Sequence, residues 1–93
     1  MDIVYTAHLK TRLLLRQIDY ALPEKIFEES TERYYDAENG HRVAVMKVML
    51  YDRERETMVA YVEERGEARL LTIHPLKDGQ KDNRVATGRW RKL

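Results

Sequence analysis

Histidine, arginine and lysine side chains are concentrated at the C-terminal end of this 93-residue chain. The segment from His74 to Leu93 reads HPLKDGQKDNRVATGRWRKL, and its bases are Lys77, Lys81, Arg84, Arg89, Arg91 and Lys92. Because the unperturbed pKa of histidine is about 6.5, His74 can accept or donate a proton near neutral pH. Guanidinium groups bind phosphate, often through two parallel hydrogen bonds. The segment therefore contains the side chains that acid–base chemistry on a phosphate ester requires.

His74 follows the apolar run LLTI, so we predict that it emerges at the end of a strand. The residues assigned to the site are His74, Arg84 and Arg89 for catalysis, and Lys77 and Arg91 for phosphate binding. Trp90 has two interpretations, because a lone tryptophan can stack on an unpaired base but more often fills a gap in the core. The arginines also have an alternative role, as a solvated basic surface.

A second candidate surface lies near the N-terminus. His8, Arg12 and Arg16 occur at intervals of four residues among good helix formers, so they share one stripe of a helix. Such a stripe can contact a phosphate backbone, or it can form ion pairs with the acids between Glu24 and Glu38. We predict a role in phosphate binding if the stripe lies near the C-terminal segment.

Several classes of site are excluded by composition and spacing. The chain has no cysteine, which rules out disulfides, thiolate ligands and a thiol nucleophile. The three histidines are far apart and lack partners at metal-ligand spacing, so we predict neither a metal nor another cofactor. Neither a glycine-rich phosphate loop nor a serine nucleophile motif is present.

Length and charge indicate one domain over residues 1–93. No run approaches the roughly 20 apolar residues of a membrane helix. The first residues include an acid rather than a basic signal region, so we expect a cytoplasmic protein with no membrane contact. The net charge of +1 hides an acidic stretch between Asp19 and Glu38 and a basic one from Lys77 onward. A chain divided in this way can bind a polyanion with one region alone.

The order of secondary structure predicts an α+β domain. DIVY is predicted as a strand, AHLKTRLLLRQI and PEKIFEES as helices, and ERYYDA, HRVAVMKVMLY, TMVAYVEE and EARLLTI as four further strands. Asn39-Gly40 predicts a tight hairpin. We therefore expect the order β-α-α-β-β-β-β, with two helices on one face of an antiparallel meander. The basic segment 78–93 follows, with a short helix at most.

This element order and two motifs resemble the RelE/ParE toxin superfamily of bacterial toxin–antitoxin systems. HLKTRLLLRQI is similar to the H-x-x-x-R-x-x-x-R-x-I pattern in the first helix of small RelE-like families. LLTIHP followed by GRW is similar to the last core strand and C-terminal segment of that group. The resemblance covers nearly the whole chain and implies the RelE/ParE-like fold. It also implies a small antitoxin partner, with promoter DNA bound only by the toxin–antitoxin complex.

The resemblance implies one of two activities. RelE-like members cleave messenger RNA, often on the ribosome, whereas ParE-like members inhibit DNA gyrase without nuclease activity. RNA cleavage of this type needs no metal, because the ribose 2′-OH attacks the phosphorus and the protein moves the protons and stabilises the phosphorane. We expect a toxin of this endoribonuclease type, with RNA contacts from Lys77, Trp90, Arg91 and the helix stripe. Tyr61 is either a proton-transfer residue or, more commonly, a core tyrosine.

The alternative is a non-catalytic module of the same fold. It would bind nucleic acid or protein, as a gyrase inhibitor or a degenerate toxin does. This alternative stays open because the sequence contains no complete acid–base constellation at a known spacing.

Overall fold

The computed structural model describes residues 1–93, which form three helices and six strands. The elements are β1 (Asp2–Tyr5), α1 (Ala7–Arg16), α2 (Leu22–Glu29), β2 (Glu32–Asp36), β3 (His41–Leu50), β4 (Arg53–Glu64), β5 (Glu67–Pro75), α3 (Gln80–Ala86) and β6 (Trp90–Lys92). The predicted α+β class is confirmed. None of the three helices is long and apolar enough to cross a membrane.

All six strands belong to one sheet in the order β1-β5-β4-β3-β2-β6. The run from β2 to β5 is the expected antiparallel meander, but β1 pairs with β5 in parallel, so the sheet is mixed. The predicted antiparallel meander is therefore present, but the parallel pairing that places β1 beside it was not predicted. The two helices between β1 and β2 carry the chain across the sheet, and the meander then returns β5 to β1 in the same direction. A sequence pattern does not specify which strand an isolated first strand will join.

The larger core lies between one face of the sheet and the first two helices. Leu9 and Leu13 of α1 and Ile26 of α2 are buried there against alternate residues of β3, β4 and β5. Thr6 caps α1, because its hydroxyl accepts a hydrogen bond from the backbone N–H of Leu9. The same hydroxyl donates to the carbonyl of Leu71, which fixes the start of α1 beside β5.

The C-terminal segment covers the opposite face of the sheet. It forms the short helix α3, as predicted, and also a sixth strand that the prediction of a short helix at most missed: β6 pairs antiparallel with β2. Trp90, at the start of β6, is buried in a second core with Tyr34, Val43 and Met58. The position of Trp90 thus agrees with the interpretation that its side chain fills a gap in the core.

Candidate functional site

A cleft of about 650 Å³ opens at the end of β5, between the C-terminus of α1 and α3. Five of its ten lining residues are arginine or lysine. The lining consists of Arg16, Arg53, Arg55, His74, Pro75, Leu76, Lys77, Asp78, Gln80 and Arg84. We call this the cationic cleft. It brings together residues from four elements, so no single sequence segment defines it.

The cationic cleft exists because β1 is shorter than β5. The pairing of β1 covers only residues 67–70 of β5, so the following residues have no strand neighbour on that side. α1 begins just after β1 and runs beside this uncovered part of β5. The side chains at the end of β5 therefore lie at an open edge, between a helix on each face of the sheet.

His74 lies at this edge and contacts α1. Nη1 of Arg12 is 3.4 Å from Nδ1 of His74, and Oγ1 of Thr72 is 3.5 Å from Nε2. Because a guanidinium can only donate, Nδ1 must carry the lone pair and the ring must be neutral in this contact. Both distances are long for hydrogen bonds, so the imidazole is oriented but remains available to a ligand.

The pKa of His74 lies below its ordinary value. Burial disfavours the imidazolium most, and the nearby charges of Arg12, Arg16 and Arg84 add to this effect. His74 is therefore neutral at pH 7, which suits a proton acceptor rather than a proton donor.

Replacing Arg12 with methionine should raise the pKa of His74 toward 6.5, because the substitution removes the nearest positive charge while keeping the length of the side chain. The measurement is NMR titration of the histidine ring resonances. Replacing the remote Arg69 with methionine is the matched control and should leave the titration midpoint unchanged. An unchanged or lower midpoint in Arg12→Met would contradict the electrostatic account.

Arg84 is brought to the cationic cleft by the packing of α3. Its guanidinium carbon lies 5.0 Å from the centroid of the Trp90 ring, which also stacks against Tyr34. Lys81, one turn earlier, binds Oε2 of Glu32 at 3.0 Å and Oε2 of Glu56 at 2.6 Å. These contacts hold α3 on the sheet although the helix buries no residue fully.

Arg53 and Arg55 are cleft residues that lie between two of the strands predicted from the sequence, HRVAVMKVMLY and TMVAYVEE. They belong to β4, and the alternation RERE places the two arginines on one face of the strand and Glu54 and Glu56 on the other. That period of two is the sequence signal that could have identified them. Their proximity to His74 follows only from the pairing of β4 with β5.

Few of these cations have an acidic partner. The ion pairs of the protein are Arg55–Asp52, Arg69–Glu67, Lys81–Glu32, Lys81–Glu56, Arg89–Asp36 and Arg89–Glu38. Only the first includes a residue of the cationic cleft, and it is a long contact of 3.7 Å to an exposed carboxylate. Nε of Arg12 is buried without a hydrogen-bond partner. The cleft thus has an uncompensated positive charge that an anionic ligand would neutralise.

The structure brings together some of the residues that the sequence analysis assigned to a site and separates others. His74, Arg84, Lys77 and Arg16 line the cationic cleft, and Arg12 reaches it through His74. His8 lies at the start of α1, in a separate groove of about 140 Å³ that Arg12 and Arg16 also line. Tyr61 is 1% exposed and belongs to the larger core.

Three residues of the C-terminal segment lie away from the cationic cleft. Arg89 pairs with the carboxylates of Asp36 and Glu38. Trp90 is 1% exposed, so its ring has no free face for a base. Arg91 lies on β6, exposed, opposite Tyr35.

The residue types around the cationic cleft do not form a metal site. No group of three or more histidine, cysteine, aspartate or glutamate side chains is placed to hold a metal ion. The chemistry that the cleft itself offers is proton transfer at His74 and charge stabilisation by arginine and lysine.

Comparison of the chain with protein-family models, curated proteins and solved structures finds no match.

Proposed function

We propose that this protein is a metal-independent endoribonuclease that binds RNA in the cationic cleft, and that it acts as the toxin of a toxin–antitoxin pair. The observation that carries the proposal is a histidine of lowered pKa in a cleft of about 650 Å³, among arginines of which only Arg55 has an acidic partner. A phosphodiester supplies the negative charge that the cleft lacks. The toxin role and the antitoxin partner come from the resemblance to the RelE/ParE superfamily.

In the proposed reaction, His74 accepts the proton of the ribose 2′-OH. The incoming phosphate attracts Arg12, whose contact with Nδ1 is long at 3.4 Å, and this frees the lone pair for the hydroxyl. Attack of the 2′-oxygen on phosphorus builds negative charge on the phosphorane, which Arg16 and Arg84 stabilise. Lys77 is the cleft residue that can then give a proton to the leaving 5′-oxygen, because arginine does not deprotonate.

The test is incubation of the purified protein with RNA, with and without ribosomes, followed by mapping of the cleaved ends. We expect 2′,3′-cyclic phosphate ends, and cleavage of free RNA, without ribosomes, should persist in EDTA. Expression of the protein alone should arrest growth. Cleavage of free RNA that stops in EDTA, or growth arrest with intact RNA, would contradict the proposed reaction.

The second candidate is a nucleic-acid-binding module without nuclease activity. One observation favours it. The side-chain contacts of the His74 ring are with Arg12 and Thr72, and neither residue is a general acid or base that could act together with the histidine. Tight RNA binding without cleavage, in the presence of ribosomes as well, would support this candidate over the nuclease.

The salt dependence of RNA binding measures how many phosphates the cationic cleft holds. For single strands, the slope of log K against log salt falls by roughly 0.7 for each neutralised phosphate. Arg84→Ala should therefore make the slope shallower by roughly 0.7 and weaken binding at low salt. Arg69→Ala, which removes an exposed arginine paired with Glu67, is the matched control. Equal slopes for the two variants would exclude Arg84 from phosphate binding.

A further inference from the structure

The loop between β3 and β4 carries an aromatic ring into solvent beside the cationic cleft. Tyr51 is the first of two residues between Leu50 and Arg53, and its φ is 66°. Loops of this length usually place glycine or asparagine at a position with positive φ, because a bulky side chain is strained there. The chain nevertheless has a tyrosine at this point, and the side chain is 55% exposed.

A separate groove of about 490 Å³ lies next to this ring, and we call it the Tyr51 groove. Its lining consists of Gln17, Asp19, Ala21, Leu22, Lys25, Met49, Leu50 and Tyr51. Five of these eight residues are hydrophobic, whereas only one of the ten residues of the cationic cleft is. The groove therefore suits a flat apolar group rather than a phosphate.

Tyr51 connects the Tyr51 groove to the cationic cleft. Its hydroxyl donates a hydrogen bond of 3.0 Å to the backbone carbonyl of Arg16, and the guanidinium carbon of Arg55 lies 5.7 Å from the ring centroid. Both arginines also line the cationic cleft. The hydroxyl contact and the cation–π contact thus hold an exposed ring at the border between an apolar groove and a phosphate-binding surface.

We propose that Tyr51 is a stacking platform for a nucleobase, and that the Tyr51 groove accepts the base of a nucleotide next to the phosphate in the cationic cleft. This inference rests on the proposed function, because an RNA strand in the cleft is what brings a base to this border. No phenylalanine, tyrosine or tryptophan lines the cationic cleft itself, and Trp90 is buried. Since every base has a π face, the subsite tolerates any of the four bases.

The test measures binding of a 2′-O-methyl oligonucleotide, which lacks the attacking hydroxyl and so stays intact. Fluorescence anisotropy gives the affinity of the full chain for this probe and for probes in which one base at a time is removed. In the parent protein, one abasic position should weaken binding at least about fivefold, the low end of what base stacking on an aromatic ring contributes.

Tyr51→Asn is the decisive variant, because asparagine tolerates positive φ and so removes the ring without straining the loop. It should bind the intact probe at least about fivefold more weakly than the parent does. It should bind the intact probe and the probe that lacks the stacked base with equal affinity. Tyr51→Trp should restore that sensitivity. Tyr35→Asn, which removes an exposed tyrosine on β2, is the matched control and should bind as the parent does.

The outcomes separate this inference from the proposed function. If Tyr51→Asn binds like the parent while Arg84→Ala binds more weakly, the stacking subsite is overturned and the RNA-binding cleft stands. If Tyr51→Asn binds more weakly but still loses affinity at the abasic position, the loss comes from displaced arginines and the subsite is again overturned. A parent protein that binds no probe overturns both.

Discussion

Replacing His74 with alanine is expected to lower the rate of RNA cleavage about 10²–10⁴-fold while leaving RNA binding nearly unchanged. In the proposed reaction the imidazole of His74, whose pKa is lowered, accepts the proton, whereas the guanidinium and ammonium groups around it bind the phosphates. The measurement is single-turnover cleavage of a defined RNA, combined with binding of a 2′-O-methyl probe.

Two further histidine variants make this result specific. His74→Gln keeps a polar side chain near Arg12 but offers no proton acceptor of suitable pKa, so it should be as slow as His74→Ala. His41→Gln replaces a histidine of β3 that lies opposite Asp36 in the register of β2 and β3, away from the cleft. This variant should cleave at the parent rate. Cleavage by His74→Gln at the parent rate would exclude His74 as the base.

The pH dependence of RNA cleavage by the parent protein should agree with this proposed role of His74. Since the pKa of His74 is lowered, the base is already unprotonated at neutral pH, and kcat/KM should rise with pH through a midpoint below 6.5.

The largest expected effect on stability comes from replacing Asp36 with alanine, which should lower the free energy of unfolding by about 3 kcal/mol or more. The carboxylate is 1% exposed and accepts hydrogen bonds from the backbone N–H groups of Glu38 and Asn39. It also accepts from Nε1 of Trp90 at 3.3 Å and from Arg89 at 3.4 Å. Without it, the buried indole N–H has no partner and β6 loses its side-chain hydrogen bond to β2.

Urea denaturation followed by tryptophan fluorescence measures this effect, because Trp90 is the only tryptophan and lies beside Asp36. Glu38→Ala is the matched control. It removes the other acidic partner of Arg89, but that carboxylate is 65% exposed, so the cost should stay below about 1 kcal/mol. If the two variants lose equal free energy of unfolding, the burial of Asp36 does not determine how much this residue stabilises the fold.

The contribution of Asp36 should depend on pH. Burial alone would raise its pKa, but hydrogen bonds from the Asn39 amide and from Arg89 outweigh burial and hold the pKa below its ordinary value. A carboxyl whose pKa is lower in the folded state stabilises the protein above the unfolded pKa, about 3.9, and loses that contribution as the pH falls through the folded pKa. The difference in stability between the parent and Asp36→Asn should therefore shrink below about pH 4.

Local sequence patterns were sufficient for most of the secondary structure. Thr6 and Pro23 mark the starts of the first two helices because a hydroxyl cap and a proline at the first turn act within a few residues. The period of two in β4 separates its arginines from its glutamates, and Asn39-Gly40 lies in the turn between β2 and β3. These features depend on backbone geometry and on neighbours in the chain, so the α+β class could be predicted.

Tertiary packing determined which of the charged residues lie together. Arg89 and Arg84 look equivalent in the sequence, yet Asp36 engages Arg89, while Trp90 and Lys81 hold α3 so that Arg84 lines the cationic cleft. Likewise, Arg53 and Arg55 approach His74 only because β4 pairs with β5. Side chains of the same type obtain different partners through contacts between residues far apart in the chain, and a single sequence contains no periodicity that records those contacts.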